Sequence, residues 1–588
     1  MDLKNNELGY NKQNNNNNGS YDDSTIKSQI KTISEELNKV ESKQEVFVTD
    51  FDADATGTLD SYNQIQSAID YAYSNNKKIV IFPEGRYKIS KGFKFRNGIK
   101  YLSPNNGATI FVDDDYIGTT EGILTNYNTS NTYNEITADS FELENLTFLY
   151  DSNLKFDSKT FLLLKNVNGV NINKCKFIQN QKLTTFETEI TNLDLYACCK
   201  NVNIINCEFT VLSDTAAGGN IWIRNFAIDN EDLSNLTENI TIENCNFVKK
   251  SHDEMIAVFN VRGGSIRNVS IRNNRFKMLE SASVSPICLA FRATKDTFVE
   301  NVICENNIID IDNFSFHVLE INRGEGLLKN CNIVNNTFYV RTKTDSNTYL
   351  TYGTGLIENV NMDFNNIFIN KNEGEYPVQY GINGVSRATC NYINGNVTVA
   401  FHNCDTVSEN NVELSNDFKG IGAMNCRNVC NNTFVNVETG IKIKSNNNYL
   451  IIGNRITLQD RDLSVSFMFQ GASLICKAIV SNNFVEGTNS NLRYIWLDSS
   501  KDIQVTFENN RTNGDFNYYS NGALLYYAKN NVIGQHGDTY VGIPNYRLRD
   551  ILPIGHQTFN PSTLKGYIKV SAENKSNDDW KEISMTLI

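Results

Sequence analysis

The densest group of residues able to do chemistry is Ser251-His252-Asp253-Glu254, directly ahead of the apolar run from Met255 to Val261. Three adjacent ionisable residues at the mouth of a strand suit a general acid and base. Their carboxylates also suit a divalent cation, of unspecified identity. Glu320 and His317 stand on a later segment of the same kind, and Arg224, Arg262, Arg292 and Arg323 each follow a recurring phrase by about 15 residues. If that phrase measures one turn of a repeating fold, equal offset means one face, with guanidiniums about 5 Å apart. In-register cations repel unless acids interleave or an anion binds. A polymer with regular phosphates would satisfy them, because guanidinium grips phosphate bidentately. The competing reading ties the arginines to Asp229, Asp253 or Glu320 as salt bridges and leaves 251–254 as a solvated loop. Trp222 lies between Ile221 and Ile223. If the isoleucines face in, the indole faces out, to stack on a sugar or to pack under a neighbouring chain. The expected catalytic residues are therefore His252, Asp253, Glu254 and Glu320. Arg224, Arg262, Arg292, Arg323, Trp222 and His317 are the expected substrate contacts.

The phrase that sets this ruler is Asn201-Val-Asn-Ile-Ile-Asn-Cys-Glu-Phe209, which returns as Asn239–Phe247 and Asn268–Phe276. Its end recurs every 29 to 38 residues between Phe209 and Ile367, and at shorter intervals beyond. Such a period signals a solenoid, in which each repeat buries its apolar face against its neighbours. Within the phrase Ile240, Ile242 and Phe247 alternate with polar residues, the period-two pattern of a strand with one face inward. No helical stretch separates the copies, so about 30 residues per turn predicts an all-β, parallel β-helix with three short strands per coil. Asn pairs such as Asn273-Asn274, Asn335-Asn336 and Asn482-Asn483 fall where a strand must bend. Asn tolerates the left-handed conformation a tight bend needs, and successive pairs would stack as an amide ladder.

Composition narrows the function. A net charge of −13 argues against a nucleic-acid partner. No run of 18 apolar residues predicts a membrane span. The 13 cysteines are odd in number, and Cys175, Cys207 and Cys245 share one point of the repeat. They read as small stacked core residues rather than a disulfide framework. The opening Met1-Asp-Leu-Lys-Asn-Asn has no apolar core of a signal peptide, so synthesis in a cytoplasm without secretion is expected.

Residues 1–23 are Asn-rich and polar, an attachment tail. Over 24–47, Ile26, Ile30, Ile33, Leu37 and Val40 form an a/d seam. Isoleucine at both positions favours three or more strands, so a short trimeric coiled coil is expected. The alternative is one amphipathic helix packed on its own chain. Residues 48–140 read as the cap and lead-in of the solenoid, with a helix bearing Ile65, Ala68, Ile69 and Ala72 on one face. Residues 141–533 carry the repeat. Residues 534–588 break it and read as a small β module that caps the last coil and helps trimerise.

The stretch Asp50-Phe-Asp-Ala-Asp-Ala-Thr-Gly, followed by Ile65-Gln-Ser-Ala-Ile-Asp70 and Ile79-Val-Ile-Phe-Pro-Glu-Gly-Arg-Tyr87, resembles the opening of the pectate-lyase-like right-handed β-helix family. The attachment tail, coil, β-helix and terminal module together resemble its phage tail-spike and appendage subgroup, from phages of Gram-positive hosts. The resemblance implies a homotrimer on a virion that binds, and in many members cleaves, a cell-surface polysaccharide or teichoic acid. It implies docking to other phage tail or collar proteins through residues 1–47. Asp253-Glu254 before a small apolar strand resembles the paired acids of pectin-degrading hydrolases, although their Gly-His-Gly motif is missing. Combined with the arginine ladder, the expected reaction is hydrolysis of a wall teichoic acid phosphodiester, with or without a divalent cation. A non-catalytic receptor-binding protein and a polysaccharide hydrolase or lyase are the alternatives.

Overall fold

The structure is a computed structural model. It describes residues 23–42, the strands 557–560, 565–569 and 580–583, and residues 44–529 except 118–121, 127–137, 153–159, 181–190, 213–218, 227–235, 251–252, 280–285, 315–316, 343–347, 372–375, 417–418, 462–463, 471–475, 488–492, 499–502, 513–516 and 521–524. Residues 1–22 of the proposed attachment tail lie outside the described residues, as does His252.

The expected β-helix is what the chain forms. Each coil lays down one strand in each of three parallel sheets, here called A, B and C, in that order. Leu236–Glu243 lies in sheet A, Asn246–Lys249 in sheet B and Asp253–Arg262 in sheet C. Sheet A contains 18 strands and sheet C 16. At about 4.8 Å per coil the sheets run for roughly 75–80 Å. Parallel winding begins at Glu45–Phe47, which pairs with Ile79–Ile81 well ahead of the first clear phrase. Helix α2 (Tyr62–Ser74) buries Ile65, Ala68, Ile69 and Ala72, covering edges that would otherwise invite pairing. Near the C-terminus Gln557–Asn560, Lys565–Lys569 and Trp580–Ile583 form a separate antiparallel sheet.

In-phase repetition makes the lumen. Val202, Ile240, Val269, Val302, Cys331 and Val360 stack in register in sheet A, and all are buried. Phe148, Phe177, Phe209, Phe247 and Phe276 stack ring on ring at 4.7–5.1 Å. The turn from A to B follows the expected Asn pair. Its first member takes the left-handed region, as at Asn273 (φ 56), Asn335 (φ 55) and Asn482 (φ 56). Its second member is buried in an amide ladder. From Asn274 through Asn307, Asn336, Asn365, Asn391, Asn410, Asn432, Asn454 and Asn483 to Asn510, each Nδ2 donates to the next Oδ1 at 2.9–3.1 Å. Cys207 and Cys245 hold the same rung in earlier coils, and the Cys245 N–H donates to Asn274 Oδ1 at 2.8 Å. All 13 cysteines are free thiols. Helix α1 (Asp23–Ser42) carries Ile26, Ile30 and Ile33 exposed along one side. Among the described residues no helix is long and apolar enough to cross a membrane.

Candidate functional site

Three neighbouring coils of sheet C depart from strict alternation in the same way. Met255 and Ile256 both enter the core, as do Cys288 and Leu289, and Val318 and Leu319. Two inward residues in succession leave the flanking positions, three apart, on the outer face: Glu254 and Ala257, Ile287 and Ala290, His317 and Glu320. Register then aligns them. Trp222, Ala257, Ala290, Glu320 and Tyr352 form one row. Tyr196, Arg224, Phe259 and Arg292 form the next. Ala257, Ile287 and Ala290 make a small apolar floor against which Trp222 packs. The chain passes tightly over the indole: a Cβ on Gly219 would fall 2.4 Å from Trp222 Nε1.

Charged groups surround that floor. Arg292 bridges Glu254 and Glu320, and its Nη2 donates to Glu320 Oε2 at 3.1 Å. His317 Nε2 lies 3.0 Å from Glu320 Oε2, and both side chains are buried. Burial pushes the Glu320 carboxyl upward, but the hydrogen bonds from His317 and Arg292 and the Arg292 charge prevail and hold it at about 2. Burial opposes the Arg292 charge, yet its contacts with Glu320 and Glu254 raise its pKa. Arg224 pairs with buried Asp194, with Nε donating to Oδ1 at 3.1 Å. Its guanidinium also sits 4.9 Å from the rings of both Trp222 and Tyr196.

The expected ladder of four arginines is corrected by this register. Arg224 and Arg292 share a row, but Phe259 lies between them. Arg262 comes three residues after Phe259 and registers with Phe226 beyond an irregularity. Arg323 is exposed past the end of its sheet C strand, His317–Ile321. The salt-bridge reading holds for Arg292 with Glu320, whereas the partner of Arg224 is Asp194. Three carboxylates (Asp194, Glu254, Glu320) face two guanidiniums (Arg224, Arg292), so this face is no basic stripe. Asp253 is described only as the first residue of its strand. Among the described residues no group of three or more His, Cys, Asp or Glu side chains is arranged to hold a metal ion.

Sequence reasoning missed Asp194 and an aromatic extension of the same face. Asp194 lies between Leu193 and Leu195, so extending the alternation one coil back would have found it. Beyond Glu320, His317 stacks on Tyr352 at 5.2 Å, Tyr349 on Tyr380 at 5.3 Å, and Tyr380 on His402 at 4.1 Å. The geometry can bind a ring between indole, tyrosine faces and carboxylates. Glu320 is ionised and its oxygens are taken up by Arg292 and His317, so it is not a proton donor at neutral pH. Glu254, at the edge of the floor, shares Arg292 with it.

Among curated protein sequences none matches the chain. Several solved structures are similar to it at low identity. The Yersinia enterocolitica family 28 exopolygalacturonase is 13% identical over 74% of this chain and 78% of its own, with a TM-score of 0.39. The tailspike gp49 of Pseudomonas phage LKA1 is 11% identical over 76% and 82%, also with a TM-score of 0.39. The tailspike of E. coli bacteriophage HK620, in complex with a pentasaccharide, is 12% identical over 77% and 78%, again with a TM-score of 0.39. Over residues 46–275 the chain matches the family described as Rhamnogalacturonase A/epimerase, pectate lyase-like.

Proposed function

We propose that this chain is a virion-borne spike or appendage that binds a host surface glycan on sheet C and cleaves it there. The observation that carries the reading is the floor of Ala257 and Ala290, bounded by the Trp222 indole on one side and by Glu254, Arg292, Glu320 and His317 on the other. Indole and tyrosine faces suit the apolar faces of sugar rings, and carboxylates suit acid–base cleavage of a glycosidic bond. In this reading Glu254 and Asp253 do the proton transfer. Glu320 and Arg292 are positioning residues, each fixing the other and Glu254. Trp222, Arg224 and His317 line the bound chain. Helix α1 assembles three copies through Ile26, Ile30 and Ile33, and residues 1–47 join them to the particle.

The phosphodiester reading loses its main support, because the two guanidiniums in one row are already paired with buried carboxylates. A glycosidic bond is therefore favoured over a teichoic acid phosphodiester. The test is incubation of the purified protein with a panel of bacterial capsular polysaccharides and wall teichoic acids. New reducing ends on a polysaccharide support the proposal. Release of polyol phosphate from teichoic acid would restore phosphodiester chemistry. Binding of cells without shortening of any polymer would make it a receptor-binding protein only.

A further inference from the structure

A cleft opens on the edge between sheets B and C, where long connections flank a short one. The sheet B strands Asn411–Leu414, Thr433–Val437, Arg455–Leu458 and Phe484–Glu486 follow one another in consecutive coils. After the first, residues 415–420 lead to the sheet C strand Ile421–Met424. After the third, residues 459–464 lead to Val465–Gln470. The second coil crosses on Glu438 alone, from Val437 to Thr439. The short crossing is the bottom of a notch between the two longer ones.

Side chains span this notch. Gln459 is buried, and its Nε2 donates to the carbonyls of Asn436 at 2.7 Å and Ser415 at 3.3 Å. Arg461 Nη2 donates to the Asn416 carbonyl. Ser415 and Asn416 lie two coils back, so both donors reach across the middle coil. That coil is bulged: its register slips between Val435 and Val437, and Asn436 takes φ 60. A bulge re-aims the side chain it carries, and Asn436 joins the lining. The open space is about 600 Å³, lined by Asn416, Asn436, Thr457, Asp460, Arg461 and Glu486 among others. That falls within the roughly 300–1,000 Å³ of small-molecule sites.

The lining selects the ligand. Among the described residues its one apolar side chain is Leu458, and it holds no aromatic ring. A ligand here is held by hydrogen bonds rather than by stacking. Glu486 is engaged, paired with Arg455 at 2.9 Å and accepting the Thr457 hydroxyl at 3.1 Å. Arg461 and Asp460 then add one charge of each sign. A guanidinium has five N–H donors, so Arg461 holds the carbonyl and still donates into the cleft. Amide, hydroxyl, guanidinium and carboxylate groups offer donors and acceptors at balanced charge. That suits a ligand rich in hydroxyls and without charge of its own.

We infer that this cleft is a second binding site, for one or two units of a neutral sugar. In sheet C the strand His317–Ile321 lies five coils before Thr439–Ile443. At about 4.8 Å per coil that is roughly 24 Å, so a sugar in the cleft is not the one at the Glu320 cluster. The inference stands whether or not sheet C cleaves a polymer.

Saturation-transfer NMR of the full chain tests this, with glucose, galactose, mannose and N-acetylglucosamine as probes and glucuronic acid beside them. Trp222→Ala is the starting protein, which silences the indole on sheet C. At least one neutral sugar should receive saturation from it. Adding Asn436→Gly keeps the left-handed backbone and removes the amide. It should raise the dissociation constant at least about fivefold. Adding Asn416→Trp instead, at an exposed position, should fill the cleft and abolish the signal. Circular dichroism should stay native in both. No transfer to any of the four neutral sugars, or transfer that both added substitutions leave unchanged, overturns the proposal. Tighter binding of glucuronic acid than of every neutral sugar overturns the neutral class.

Discussion

Replacing Arg292 with methionine gives the sharpest test of the charged cluster. The substitution keeps an aliphatic stem beside Phe259, whose ring centre lies 5.8 Å from the guanidinium carbon. It removes the cation bridging Glu254 and Glu320. The Glu320 carboxyl sits at about 2 in the folded chain against an ordinary 4.5. That gap, at about 1.4 kcal/mol per pH unit, is worth about 3 kcal/mol. The figure falls at the lower edge of the ~3–5 kcal/mol that breaking a buried ion pair costs. Because the folded state binds the Glu320 proton less readily than the unfolded state, the stabilisation is complete above about pH 4.5. It is lost as pH falls toward about 2. In Arg292→Met only His317 opposes the effect of burial, so most of this contribution disappears. Denaturant unfolding of wild type and variant at pH 7, 5, 4 and 3 should show a difference of about 3 kcal/mol at neutral pH that shrinks steadily below pH 4.5. A difference that stays constant from pH 7 to 3, or a variant as stable as wild type at pH 7, would refute the reasoning.

Four further outcomes follow from particular contacts. Asn336→Ala strips the acceptor from Asn307 and the donor to Asn365 Oδ1 and the Cys304 carbonyl. It should cost about 2–4 kcal/mol in denaturant unfolding. Asn301→Gly, at an exposed asparagine whose Nδ2 donates to Asn268 Oδ1, should cost under about 1 kcal/mol. Trp222→Ala should weaken binding of a surface oligosaccharide at least tenfold by calorimetry, with circular dichroism unchanged; equal affinity would remove the indole from the site. Of the 13 cysteines only Cys390 and Cys430 are not buried, and burial raises the thiols of Cys175 and Cys199 to about 12. A colourimetric thiol reagent at pH 8 should therefore titrate no more than two groups quickly in the folded chain and all 13 once it unfolds.

The winding was legible because every coil restates it. Alternation within a period of about 30, punctuated by an Asn pair, leaves little besides a three-sheet solenoid. The site was legible only as a neighbourhood. Counting residues from the phrase assumes equal connections between sheets B and C, and these vary. Phe259 lies 12 residues after Phe247, whereas its register partner Arg292 lies 16 after Phe276. The equal offsets of Arg224 and Arg262 therefore did not bring them into one row. Strict alternation failed a second time at Met255-Ile256 and Val318-Leu319. There, two inward residues put His317 and Glu320 on the same side and let them touch. Asp194 went unnoticed because it carries no motif. Only its place between two leucines marks it.

The coils that hold the site also differ in how firmly they are pinned, and one substitution can expose this. Arg292 and Glu320 lie on coils whose turn rungs are Asn274 and Asn307, where each side-chain amide donates to a backbone carbonyl and to the next rung, and each backbone N–H donates to the next rung's Oδ1. Trp222 and Glu254 lie on coils whose rungs are Cys207 and Cys245. There the Cys207 N–H meets only the Cys245 sulfur, at 3.4 Å, and a thiol is a weak acceptor. The site thus joins a well-pinned half, which fixes the charge cluster, to a looser half that bears the indole. Cys245→Asn would extend the amide ladder by one rung, with its Oδ1 accepting from Cys207 and its Nδ2 donating to Asn274. The two side chains are close in volume and the rung is already at hydrogen-bonding distance from Asn274. The gain should be about 1 kcal/mol. Hydrogen exchange followed by mass spectrometry should slow in the Ile221–Phe226 and Asp253–Arg262 strands and stay unchanged in His317–Ile321. Exchange that is unaltered in all three would mean that the thiol rungs already hold as firmly as the amides.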